Sequence, residues 1–236
     1  MSSSLIRSVF IALGLASISS APLASNGTVT QLSGTLSVKK ADGAVRILSQ
    51  KSQVESGDTL NTEQDSYAQI RFADGAQITL KPSTTVKIDR FRFADDKPQD
   101  DSFLYSLVKG GVRAVTGLVG KRSKDSYELS TATATIGIRG TTFSADDCVS
   151  SRAEQCGRLD SAVYVGVADG AIQVKNAQGT LGLAAGQFGL VAPNQRPLFL
   201  STDPGLQFTP PATFIQSVMA GALLNTGRSL ECVITR

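Results

Sequence analysis

Histidine is absent from this sequence, and so is tryptophan. The first absence removes the commonest general base and the commonest metal ligand. Triads built on His are excluded, and zinc sites lose their usual nitrogen donor. Carboxylate-only or Ser-Lys chemistry remains open in principle, but nothing in the residue spacing asks for it. The sequence therefore points to no enzyme, no cofactor and no metal site. Charge of either sign is also scarce in excess: Lys and Arg outnumber Asp and Glu by 23 to 20, a formal +3. Removal of Arg7 with a leader would leave +2, too little for a nucleic-acid partner. Long apolar runs are missing as well, and no stretch approaches the ~20 residues that a spanning helix needs.

What is abundant is glycine, serine, threonine and valine, a balance that favours strands and turns over helices. Met1 to about Ala24 reads as a secretory signal peptide, with Arg7 as its charge and Val9–Ile18 as its short apolar core. Pro22 obscures the cleavage point. No Cys follows closely, so a lipid anchor is not indicated. The expected location is the periplasm of a Gram-negative envelope or the outside of the cell. The expected organisation is a signal peptide at 1–24, a β domain at 25–192 and a C-terminal extension at 193–236.

From Gly27 to Asp89 the chain alternates with period two. Leu36 and Val38, Val45 and Ile47, then Ala68, Ile70 and Phe72, then Ala76, Ile78 and Leu80 are each interleaved with polar residues. Such alternation predicts half-buried strands, because successive side chains leave opposite faces. Ala-Asp-Gly-Ala occurs at 41–44, 73–76 and 168–171. Asp-Gly suits the positive φ of a tight hairpin, so three hairpin turns are expected. Each offers one Asp, too few oxygens for a calcium loop. Asp95–Asp101 reads as a solvated acidic loop, and Lys121–Lys124 as a solvated charged hairpin tip. Thr213–Asn225 carries an apolar stripe at helical spacing, Phe214, Ile215, Val218, Met219, Ala222 and Leu223, and is the one helix expected.

The most informative stretch is Thr133–Phe143, in which Gly137 and Gly140 bracket Arg139. Two glycines three apart predict a sharp, crowded bend. Arg139 has two readings: its guanidinium holds a carboxylate or phosphate of a ligand, or it is satisfied by carbonyls or an acid across the sheet. Gly137-Ile138-Arg139-Gly140-Thr141 resembles the signature of the FecR domain, a bacterial periplasmic all-β module. The likeness extends through Gly57-Asp58, Thr62, Phe72-Ala73-Asp74-Gly75, Lys81-Pro82-Ser83, Val108-Lys109-Gly110-Gly111, Val115-Thr116-Gly117, Val165–Lys175 and Gly186-Gln187.

The resemblance implies an all-β fold, a β-solenoid-like roll or a twisted sandwich of short antiparallel strands, with the five-residue motif a fold element. It implies a signalling context, in which family members pass a surface stimulus to a sigma factor from behind a cytoplasmic segment and a membrane helix. Here a signal peptide stands in that place, so an exported accessory module that binds another envelope protein is expected, oligomeric state open. A carbohydrate- or peptidoglycan-binding module is the alternative. Aromatics at 6% weaken it. Cys148 and Cys156 flank a polar segment that looks inserted relative to the family. In an exported chain they suggest a local disulfide, which leaves Cys232 without an assignment.

Overall fold

The computed structural model describes residues 26–123, 125–151, 156–205, 210–212 and 214. The signal peptide, nearly all of the expected Thr213–Asn225 helix and Cys232 lie outside them. The described chain is all-β, with strands over 54% of it and helix over 6%.

The first half supplies β1 (Gly27–Ser33), β2 (Leu36–Lys39), β3 (Val45–Leu48), β4 (Gln53–Val54), β5 (Thr59–Thr62), β6 (Tyr67–Phe72), β7 (Gln77–Leu80) and β8 (Thr85–Arg92). The second supplies β9 (Ser102–Val115), the short helix α1 (Leu118–Arg122), β10 (Tyr127–Ser130), β11 (Thr135–Asp147), β12 (Val163–Asn176), β13 (Gly179–Ala184), β14 (Phe188–Val191) and β15 (Leu198–Leu200). All fifteen strands belong to one sheet.

Three strands give that sheet its shape. β9, β11 and β12 run for 14, 13 and 14 residues, and each changes neighbours halfway. The first half of β9 pairs with β8 and β10, and its second half with β7 and β11. β12 pairs with β14 at its start and with β13 at its end. The sheet therefore rolls over on these strands into two facing layers. One layer runs β3, β2, β5, β8, β9, β10, β11, β12, β13; the other runs β4, β1, β6, β7, β9, β11, β12, β14, β15. A single apolar core fills the space between them, with Phe72 of one layer 4.4 Å from Phe103 of the other between ring centroids. The expected all-β fold of mostly short antiparallel strands holds, with β9, β11 and β12 longer than the rest and β9 parallel to β10.

Alternation placed most faces correctly. Leu36, Val38, Ala68, Ile70, Phe72, Ala76, Ile78 and Leu80 are all buried. It misplaced β3, where Val45 and Ile47 face solvent at 68% and 71% exposure while Arg46 stands opposite Val38 on the inner side. A four-residue edge strand with three apolar residues carries too little pattern to say which face is inward.

Two Asp-Gly segments are hairpin turns, closed by Lys40–Ala44 and Phe72–Ala76 backbone bonds. Only their glycines take positive φ, +88° at Gly43 and +85° at Gly75, while the aspartate carboxylates accept the Ala44 and Ala76 N–H. The third copy is corrected: Ala168–Ala171 lies inside β12 and forms a bulge, not a turn.

The expected hairpin tip at Lys121–Lys124 is corrected for its described residues. Lys121 and Arg122 end α1, and Arg122 pairs with Asp95 and with buried Asp101 while covering the Phe93 ring. The acidic loop is therefore pinned at both ends by one guanidinium, not wholly solvated. Helix α1 in turn rests on Asp74, whose carbonyl accepts the Leu118 N–H and whose Oδ2 accepts that of Val119. A side chain at Gly117 would collide with that carboxylate.

Candidate functional site

The Gly137–Thr141 motif sits where β11 and β12 cross from one layer to the other. Gly140 takes φ +60° and Gly170, opposite on β12, takes φ +80°. A Cβ at Gly170 would stand 2.5 Å from the Gly140 carbonyl oxygen and 3.0 Å from Thr141 Cα. The close approach requires glycine at 170, whereas Gly140 is favoured by its left-handed φ and has space for a Cβ. Thr141 then ties the bend together. Its hydroxyl donates to the Ala171 carbonyl at 2.6 Å, and its N–H donates to Thr116 Oγ1 at 2.6 Å. Ile138, between these, points into the core at 1% exposure. Ile138, Gly140 and Thr141 are accounted for by the fold.

Gly137 and Arg139 are not. The expectation that Gly137 helps form the bend is corrected: it does not take positive φ, and the nearest atom to an added Cβ is the Gln173 carbonyl at 3.8 Å. Any residue would fit there. Arg139 is exposed, and its side chain makes no hydrogen bond or ion pair among the described residues. The cross-sheet partners of the second reading of Arg139 are absent among the described residues.

Both residues line one groove of about 480 Å³ on the outer face of β10–β13. Its floor follows from strand register. Glu128, Gly137, Gln173 and Gly182 stand side by side on four successive strands, so two of the four positions bear no side chain. Thr135 and Lys175 form the next row, and Arg139 stands opposite Ala171. Gly182 is also free of steric need, with nothing within 4 Å of an added Cβ. The groove's acids, Asp125 and Glu128, lie at or before β10, whereas its cations lie on β11 and β12. Lys175 and Gln173, like Arg139, have no polar side-chain partner among the described residues. The arrangement can bind, with a polar lip of hydrogen-bonding groups over a backbone floor. It contains no nucleophile held by a base.

Cys148 and Cys156 are joined by a disulfide at the far end of β11. Asp147 caps the loop by accepting the Val149 and Ser150 N–H, and Ser151 Oγ accepts from Gly110 N at 2.7 Å. Cys148 packs with Ala162 and Tyr164, which explains why Val163–Val167 is buried on both faces. Sequence reasoning missed a buried ion pair nearby. Lys81 Nζ lies 2.6 Å from Asp146 Oδ1, and the space they occupy exists because residue 111 is glycine. The Lys-Pro-Ser and Gly-Gly segments gave the only hint of it.

Residues 58–173 match a family model described as FecR protein. No curated protein matches the chain. Among solved structures, two crystal structures of a candidate anti-sigma factor from Parabacteroides distasonis are similar at 16% identity and TM-score 0.45. One match covers 62% of this chain and 60% of that one, so the chain spans less than two thirds of it; the other covers 75% and 79%. A cell surface anchoring domain matches 27% of this chain and 83% of its own, at 25% identity and TM-score 0.26.

Proposed function

We propose that this chain, which belongs to the FecR-domain family through residues 58–173, is an exported, non-enzymatic module that recognises another envelope protein through the β10–β13 groove. Its family supports a signalling-related module. The observation that carries the finer reading is Arg139, the long cation of the family motif, standing exposed and unpartnered beside a glycine that the fold does not need. A cation kept for stability would be paired or stacked; one kept for recognition waits for its acceptor.

The Cys148–Cys156 disulfide is compatible with an extracytoplasmic location. Among the described residues no helix is long and apolar enough to cross a membrane. The large aromatics Phe72, Phe91, Phe103, Tyr105 and Tyr127 are spent in the core, and none of their rings offers a stacking platform to a sugar.

The test compares partner capture from envelope extract by the native protein and by Arg139→Ala. The reading expects the captured protein to be lost with the variant. It fails if the same partner binds with unchanged affinity, and sedimentation with purified cell wall in place of a captured protein would favour the glycan alternative.

A further inference from the structure

We propose that β13 is a strand-addition site for an extended acidic segment of the partner, an inference that rests on the groove being the recognition face. β13 pairs only with β12 and so closes one layer with an edge that no strand covers, although at its far end Gln187 already takes the Ala184 N–H and carbonyl. Native proteins blunt such edges by shortness, charge, proline or bulges. The other edges follow that rule. β4 has two residues, β15 has three and follows Arg196-Pro197, and β3 carries Arg46. β13, Gly-Thr-Leu-Gly-Leu-Ala, is six residues long with no charge, no proline and an unbroken register against β12. It is the one long edge among the described residues left without such protection.

The surroundings decide what fits it. Leu183 faces the core, while Thr180, Gly182 and Ala184 are exposed on the groove side, so an added strand would extend the groove's floor. Lys175 stands opposite Thr180, and Arg139 shares a row with Ala171 and Ala184, both of which carry small side chains. Arg196 side-chain atoms lie 3.8 Å from where a Cβ of Gly179 would stand, at the start of β13. None of the three cations has a partner among the described residues. The groove's acids, Asp125 and Glu128, lie on the far side of β11 and β12, and Asp169 stands beyond the last β12–β13 pair. An incoming strand therefore meets basic groups first, and alternate acidic side chains complement them. A second copy of the chain is the poorer occupant. Two β13 edges would meet over only six residues, well short of the ~1,600 Å² of a standard interface.

The probe is a labelled synthetic peptide of about ten residues, long enough to span β13 at ~3.3 Å per residue, alternating Thr or Val with Glu. Two companions carry Lys in place of Glu, or N-methyl groups at alternate backbone nitrogens. Fluorescence anisotropy and amide hydrogen exchange are read together. The proposal expects the Glu peptide to bind and to slow exchange in β13, and expects the Lys and N-methylated peptides to fail. Lys175→Gln together with Arg196→Gln should weaken binding by about tenfold. Equal binding of the N-methylated peptide would overturn strand addition, and equal binding of the Lys peptide would overturn the acidic preference. If the Glu peptide leaves β13 exchange unchanged while Arg139→Ala still loses the captured protein, strand addition falls and the groove reading stands.

Discussion

Thr116 and Thr141 clasp each other at the bend. The Thr141 N–H donates to Thr116 Oγ1 at 2.6 Å, and the Thr116 N–H donates to the Thr141 carbonyl at 3.0 Å. With the Thr141 hydroxyl on Ala171, one residue thus joins β11 and β12 to the end of β9, its backbone holding Thr116 and its side chain holding Ala171. Thr141→Val keeps the shape but leaves the Ala171 carbonyl without its donor. It should lose about 1–3 kcal/mol, the usual penalty for orphaning a buried polar group, read as the midpoint shift in urea unfolding.

Gly170→Ala and Gly137→Ala separate fold from site. The first places a Cβ against the Gly140 carbonyl at a left-handed φ and should destabilise by more than ~2 kcal/mol from strain and clash together. The second meets open space on extended backbone, where replacing glycine removes unfolded-chain freedom, and should be neutral or stabilising by about 0.5 kcal/mol. Thermal unfolding of the two variants side by side checks the contrast.

Much of this was legible in the sequence and some was not. Period two placed β6, which buries Ala68, Ile70 and Phe72 in alternation against polar neighbours, and the apolar face of β7, Ile78 and Leu80, although Thr79 between them is buried as well. The third Ala-Asp-Gly-Ala escaped because its neighbours alternate just as hairpin strands do. What makes it a bulge is Gly140 on another strand, which no local pattern contains. Helix α1 escaped because five residues give no period, and its stability comes from Asp74, more than forty positions away. Arg139 was visible as unusual, but its lack of partners is a property of the folded neighbourhood.

Asp74 gives a pH signature. Burial is the main influence on its carboxyl and holds it above the usual carboxylate range, partly offset by the Ala76 and Val119 N–H donors. The folded state therefore binds this proton more tightly than the unfolded state. Its contribution is fully present below about pH 4 and is lost as pH rises through the raised value. The destabilisation caused by Asp74→Asn should accordingly be largest in acid and shrink toward neutrality. Denaturant unfolding of both proteins at stepped pH checks the slope, and a penalty that grows with pH would contradict it.

The disulfide closes a ring with a sequence separation of eight. Chain entropy for so short a loop amounts to about 2.5 kcal/mol, and Cys148→Ser with Cys156→Ser should lower stability by that order. Non-reducing peptide mapping checks the pairing, and a cross-link from either cysteine to Cys232 would refute it. The loop itself we propose as a second recognition feature, since a pinned loop loses less entropy on binding. Unchanged affinity for every captured partner in the double variant would reduce it to a staple.

We infer that Gly137 is glycine for a ligand and not for the fold. Gly137→Val tests it most directly, because β-branched residues suit an extended strand and its methyl groups would stand on the groove floor between Glu128 and Gln173. Unfolding midpoint and partner capture are measured on the same preparation. The expected result is stability equal to or above that of the native protein, together with loss of the captured partner. Capture unchanged at native stability would contradict it, and so would a collapse of stability.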